Sequence, residues 1–197
     1  VHRIAYDEII DSLDLGSVTT MSSMFSGCSG LKSINFSNTD LSSLTGEPGF
    51  SNCSSLTGID FSSANLHSVT NLSFSGCNSV TSIDFSNADL SSATYIDFDG
   101  CGIIENINFS NADLRSATEI DLSDCSSVTN IDFSNANLCN IDMRSMFYNC
   151  SSLKSLDLAF DEDNISYRTP SLTNCKALTA IYTPRSNKGG IVSVSLP

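Results

Sequence analysis

The sequence predicts a repeat solenoid, mainly β, of about seven coils, each 24–25 residues long. Three observations carry the prediction. Seven of the eight cysteines stand at 28, 53, 77, 101, 125, 150 and 175, so successive positions differ by 25, 24, 24, 24, 25 and 25. Two apolar columns keep step with them. Phe25, Phe50, Phe74, Phe98, Leu122, Phe147 and Leu172 lie three places before each cysteine, and Phe36, Phe61, Phe85, Phe109, Phe133 and Leu158 lie eight places after the first six. The triplets that close on the second column, "INF", "IDF" and "LDL", alternate apolar and polar with the period of a strand. A unit this short, with one main strand, cannot bury its apolar face alone, so it must stack on its neighbours.

The elements follow in chain order. Residues 1–22 read as an N-terminal cap or partial repeat, in which "AYDEIIDSL" at 5–13 keeps a helical period. Residues 23–185 read as the solenoid. Each coil opens on its cysteine, runs into the main strand and turns at a "SNADL"-like stretch rich in Ser, Asn and Asp. A second alternation, "NLSF", "YIDF" or "EIDL", then predicts another short strand before "SGC" turns the chain back to the next cysteine. The main strands of successive coils are expected side by side in a parallel, concave sheet. Residues 186–197 read as a C-terminal tail or the start of a following segment. The opening "VHRIAYDEII" has no initiating Met and no signal-peptide pattern, so it reads as a trimmed or mature fragment.

Charge narrows the partners. With 9 Lys and Arg against 22 Asp and Glu, the net charge of −13 repels phosphate backbones and anionic lipid, so neither nucleic acid nor membrane insertion is expected. No apolar run approaches the ~18 residues of a membrane span. Catalytic signatures are missing: the two histidines, His2 and His67, sit in unrelated contexts, and the sequence contains no nucleophile elbow, phosphate loop or HExxH pair. No cofactor is expected.

Four groups of residues invite a chemical reading. The seven cysteines occupy one equivalent position without a C-x-x-C pair, which argues for a buried ladder of small apolar groups over disulfides or zinc; Cys139 lies off the ladder and is the candidate exposed thiol. The polar position within the main strand gives the column Asn35, Asp60, Asp84, Asn108, Asp132, Asp157 and Tyr182. Its four acids suit a basic protein partner or Ca²⁺, or an ordinary solvated face, and the sequence has no calcium loop. The S-x-T column at 43/45, 68/70, 92/94 and 116/118 offers a regular hydroxyl array of the ice-binding type or plain turn formers. The repeat breaks after residue 158, where Phe160, Tyr167, Arg168, Tyr182 and Arg185 give an aromatic and arginine composition typical of interface hot spots, or else a cap over the last core layer.

The strings "VTTMSSMFSGCSGLKSINFS" and "MRSMFYNCSSLKSLDL" resemble the BspA-like leucine-rich-repeat surface proteins of oral and gut bacteria, mycoplasmas and some protozoan parasites. The Phe-x-x-Cys-x-x-Leu signature of that family recurs at Phe25/Cys28/Leu31, Phe50/Cys53/Leu56, Phe74/Cys77/Val80, Phe98/Cys101/Ile104 and Phe147/Cys150/Leu153, with looser copies at Cys125 and Cys175. "LTGIDFSSANL" also fits the leucine-rich frame. The middle coils carry "ADL" where mycoplasma-type repeats often read "FDTS". Two rivals share parts of the pattern: a pentapeptide repeat, matched by "ADLSS" only once per coil, and a generic parallel β-helix. The resemblance implies a leucine-rich-repeat array that is extracellular or on the cell surface. The function expected from it is non-enzymatic binding or adhesion, recognising a host or cell-surface protein through the concave face or the C-terminal aromatic patch. A carbohydrate-binding module attached to a secreted or cell-surface enzyme, with a glycan as ligand, is the alternative.

Overall fold

The computed structural model describes residues 10–11, 15–22, 24–50, 52–74, 76–138, 140–157 and 170–182, with the main chain alone at 10, 11, 157, 181 and 182. Within them the chain winds into a parallel β-solenoid. The main strands are β1 (Ile10–Asp11), β2 (Ser33–Asn35), β3 (Gly58–Asp60), β5 (Ser82–Asp84), β7 (Asn106–Asn108), β9 (Asn130–Asp132), β10 (Ser155–Asp157) and β11 (Ala180–Tyr182). Between them come β4 (Asn71–Ser73), β6 (Tyr95–Asp97) and β8 (Glu119–Asp121). The first sheet runs β1-β2-β3-β5-β7-β9, a second runs β4-β6-β8, and β10 pairs with β11. Every pairing is parallel, and the first sheet is in strict register: Ile34, Ile59, Ile83, Ile107 and Ile131 stack, with Asn35, Asp60, Asp84, Asn108 and Asp132 beside them.

The helix expected at 5–13 does not form at residues 10 and 11. Ile10 and Asp11 are strand, paired with Ile34 and Asn35. An edge strand of the stack satisfies their backbone along a ready-made ladder, and this tertiary pairing overrides a short helical period. The rest of that stretch lies outside the described residues.

The core is built from ladders. Phe36, Phe61, Phe85, Phe109 and Phe133 stack face to face at centroid distances of 5.2, 5.1, 5.0 and 5.3 Å. Phe25, Phe50, Phe74 and Phe98 form a parallel column at 5.5, 5.7 and 5.3 Å. The two columns meet edge to face, as between Phe50 and Phe61 at 6.0 Å and 75°. Such pairs add about 0.5–1.5 kcal/mol beyond the area they bury. The described core holds no buried polar or charged residue.

Corners explain the small polar residues. Asn38, Ser63, Asn87, Asn111 and Asn135 turn the chain after the first sheet with φ between 57° and 59°. A second left-handed column, including Asn52, Gly76, Gly100 and Asn149, precedes the cysteines. Asn and Gly tolerate this conformation best, which is why they recur there. The S-x-T column also has a structural task. The hydroxyls of Thr45, Thr94 and Thr118 donate to the carbonyls of Thr19, Thr70 and Thr94 one coil back.

Among the described residues, the second sheet coincides with the shorter repeats. Its three strands lie in the three shorter coils, the ones that run from Cys53 to Cys77, Cys101 and Cys125 in turn. The coils ending at Cys53 and Cys150 are longer by one. There, residues 47–49 and 142–146 form no strand, and only a single bridge joins Gly49 to Ser73. Between β4 and β6 the flanking hydrogen bonds are Thr94 N–H to Thr70 O and Phe74 N–H to Asp97 O, with Tyr95 and Ile96 between them on β6. Beyond β8 the equivalent bonds are Asp142 N–H to Thr118 O and Leu122 N–H to Met146 O, and the interval holds Met143, Arg144 and Ser145. Both ends stay pinned while one extra residue is absorbed between them. The segment bows away from β8, as a bulge does.

Candidate functional site

The acids of the first sheet are turn formers. In Asn35, Asp60, Asp84, Asn108 and Asp132, Oδ1 accepts the backbone N–H two places on, at 2.8, 2.8, 2.8, 2.9 and 2.8 Å. Asn makes the same contact as Asp, which accounts for their exchange along the column. A second corner repeats the device at Asp40, Asn65, Asp89 and Asp113. Arg115 folds onto Asp113, and hydrogen bonds from it hold that carboxyl below the usual carboxylate range. Of the residues singled out in the sequence, Asp60, Asp84 and Asp132 therefore share one face with one oxygen each committed to a turn. Asp157 and Tyr182 are paired in register on β10 and β11, but their side chains lie outside the described residues. So do Phe160, Tyr167, Arg168, Arg185 and Cys139.

The second sheet is different. Its first outward column reads Asn71, Tyr95, Glu119 and its second Ser73, Asp97, Asp121, each set in parallel register. Tyr95 is the sole aromatic residue carried by β2 to β10. The Ser73 hydroxyl donates to Asp97 Oδ2 at 3.1 Å, and Asp97 and Asp121 each cap the turn that follows through Oδ1. Burial first, then the charges of Asp97, Asp121, Glu119 and Asp99, push the Tyr95 hydroxyl up to about 12. Neighbouring carboxylates that disfavour a tyrosinate favour a cation at the same place.

Where 142–146 bows out, a recess of about 280 Å³ opens between it and β8, lined by Glu119, Ile120, Asp121, Asp142, Arg144, Ser145 and Met146. Met146 and Ile120 are buried and form its apolar part. Arg144 lies back on Asp142, with Nε 3.0 Å from both carboxylate oxygens. Among the described residues no ion pair reaches Asp97, Asp99, Glu119 or Asp121. Nor is any group of three or more His, Cys, Asp or Glu side chains among them arranged to hold a metal ion.

The seven column cysteines are free and buried. Each thiol from Cys53 on donates to a carbonyl in an earlier coil: Cys53 to Phe25 at 2.9 Å, Cys77 to Phe50 at 3.2 Å, Cys150 to Leu122 at 3.2 Å and Cys175 to Phe147 at 3.0 Å, with longer contacts from Cys101 and Cys125. Burial pushes Cys53 up to about 11 and Cys77, Cys101 and Cys150 up to about 12. Thiols of this kind hold almost no thiolate at neutral pH and are chemically inert.

The repeat that sets a thiol beneath the phenylalanine ladder at a fixed step matches a known family. The family model described as a BspA type leucine rich repeat region matches in six copies over residues 10–112 and 92–189. The chain belongs to the BspA-type leucine-rich-repeat family. Among solved structures it is similar to a leucine-rich repeat protein from Bacteroides ovatus, at 19% identity and a TM-score of 0.26. The match covers 85% of this chain and 59% of that one. No curated protein matches.

In BspA-type terms, the Phe-x-x-Cys-x-x-Leu signature is the wall between the second sheet and the first. Phe74 stacks in the ladder, Cys77 ties one coil to the last, and Val80 re-enters the core. The recess and Tyr95 were not singled out from sequence. Two signals mark them: the one extra residue between Cys125 and Cys150, and the succession of Asn71, Tyr95 and Glu119 in a column whose flanks repeat from coil to coil.

Proposed function

We propose that this chain is a non-enzymatic binding module, displayed outside the cell or on its surface, that recognises a protein partner. Membership in a family of typically surface-associated repeat proteins supports the location. The observation that carries the binding role is the second sheet. Recognition needs residues that differ from place to place, and there Asn71, Tyr95 and Glu119 succeed one another over an otherwise repeated scaffold. A half-buried ring among carboxylates, next to a recess, offers the anchor that repeated Ser and Asp cannot. The sequence-based candidates Phe160, Tyr167, Arg168, Tyr182 and Arg185, with Asp157, stand as a second contact in this reading.

The test is a paired screen of the labelled chain against surface proteins and against a glycan array. Protein hits weakened by Tyr95→Asn, or by Phe160→Ala together with Tyr182→Ala, are the expected result. Binding confined to glycans would replace the reading with a carbohydrate-binding one.

A further inference from the structure

The second sheet also indicates the chemistry of what it holds, an inference that rests on the protein-binding reading above. Two charge patterns stand side by side on this molecule. On the main-strand side, Asp60, Asp84, Asn108 and Asp132 repeat with nothing aromatic between them. On the second sheet, Glu119 lies directly across from Tyr95 on the adjacent strand, and Asp121 across from Asp97. Adjacent strands are ~4.8 Å apart, so a ring and three carboxylates fall within the reach of one planar cation. The sole basic side chain lining the recess is Arg144, whose charge is taken up by Asp142. A metal ion is a poor match, because the described carboxylates do not converge on one point. A glycan does not answer the charge.

We infer that the second sheet docks a basic protein segment bearing arginine, one guanidinium lying on the Tyr95 ring against Glu119 and Asp121. Guanidinium suits the place better than ammonium does. Its flat face stacks on an aromatic ring while its N–H edge pairs with a carboxylate, whereas an ammonium presents a compact, strongly hydrated charge. The recess beside β8 takes the neighbouring side chain of the same segment, over Ile120 and Met146.

The experiment uses the whole 197-residue chain and fluorescein-labelled nona-arginine, nona-lysine and nona-glutamate, followed by anisotropy at low and physiological salt. Nona-arginine is expected to bind at least ~3-fold tighter than nona-lysine, and nona-glutamate not at all. Tyr95→Asn borrows the residue that stands at 71, and should weaken nona-arginine by about 5-fold or more, while Tyr95→Phe keeps it. Asp121→Asn preserves the turn contact, as Asn108 does in its own column, and should weaken binding similarly. Asp84→Asn and Asp132→Asn should leave it within about 2-fold, the scatter expected of a distant, screened charge. Equal binding of the arginine and lysine peptides, or equal losses from all the acid variants, would reduce the effect to diffuse attraction and overturn the inference. So would an unchanged Tyr95→Asn. Protein hits from the surface screen that survive Tyr95→Asn with Asp121→Asn sink this inference and leave the protein-binding reading standing. A blank screen with arginine-selective binding that Tyr95→Asn removes supports the docking chemistry and overturns only the choice of surface proteins as its source.

Discussion

The first sheet offers Asn35, Asp60, Asp84, Asn108 and Asp132 over five coils, and the second offers Asn71, Tyr95 and Glu119 over three. Each face rests on its own column of stacked phenylalanines, the two columns meet edge to face, and the backbone spacing is the same. On the first sheet the outward acid has a local task, holding the N–H of the turn that follows, so Asn and Asp are the residues that serve. On the second sheet the column that carries Tyr95 holds no turn, and its residues are free to differ. A shared scaffold thus separates positions that the fold prescribes from positions that it leaves open, and the proposed recognition uses the latter.

The largest expected effect tests whether the two faces truly share one core. Phe85 stacks under the first sheet and Phe74 under the second, both fully buried. Phe85→Ala and Phe74→Ala should each cost about 3–5 kcal/mol in urea unfolding. If Phe74→Ala cost less than half as much as Phe85→Ala, the second sheet would be a loosely attached layer instead.

Alkaline pH gives the next effect. The native thiols of Cys77, Cys101 and Cys150 titrate at about 12, against an ordinary value of 9.0. The folded chain therefore holds these protons more tightly than the unfolded one does. The stability they contribute is complete below pH 9 and is lost between 9.0 and about 12. Each thiol should remove up to about 1.4 kcal/mol per pH unit in that window, and a Cys77→Ala chain should show a shallower slope. Alkylation in native buffer at pH 8 should leave the column cysteines unmodified, and rapid modification there would contradict the buried ladder.

Deleting Arg144 together with Ser145→Ile sharpens the comparison. It shortens the coil ending at Cys150 to the length that carries strands elsewhere and sets an apolar side chain at the inward place that Ile96 and Ile120 hold in β6 and β8, so the stretch from Asp142 to Met146 should join β8 as a fourth strand and close the recess. Two or three added backbone hydrogen bonds are worth about 1–3 kcal/mol. Slower amide exchange along Glu119–Asp121 is the readout, and unchanged exchange would mean that spacing does not control the sheet.

Smallest is the pair Asp84→Asn and Asp84→Ala. The first keeps the contact to Ser86 N–H and should shift stability by no more than about 0.5 kcal/mol; the second loses it at a cost of about 1 kcal/mol. A large cost for Asn would show that the charge, and not the turn, is what the column keeps.

The solenoid was legible because its physics is one-dimensional. Cysteine spacing, the two phenylalanine columns and the Ile-Asp-Phe triplets each describe a contact with the next coil, so periodicity in the sequence is contact in space. The second strands were legible too, from "YIDF" and "EIDL". Residues 5–13 misled because a helical period over so short a stretch is weak beside an open sheet edge, and Ile10 and Asp11 took the edge. The acid column was visible as a column while its task was not, since a turn hydrogen bond and an exposed charge leave the same letter. Tyr95 does not show in the consensus of a whole coil; it shows at a single position, where Asn71, Tyr95 and Glu119 differ between neighbours that barely change.

The spacing of the coils sets what a change in the gene's length would do to the protein. A coil of the shorter kind meets the coil before it and the coil after it through identical pins, from the Thr118 and Thr94 carbonyls to the Cys77 and Cys101 thiols. Copying the codons of one such coil in frame therefore adds a layer to both sheets and leaves every existing contact satisfied. One extra residue ahead of the cysteine accompanies the end of the second sheet in the coils ending at Cys53 and Cys150, and beside β8 it leaves the recess. Whole-coil duplication would be a growth step and a one-codon insertion a punctuation mark, two independent ways in which a change of gene length would alter the array.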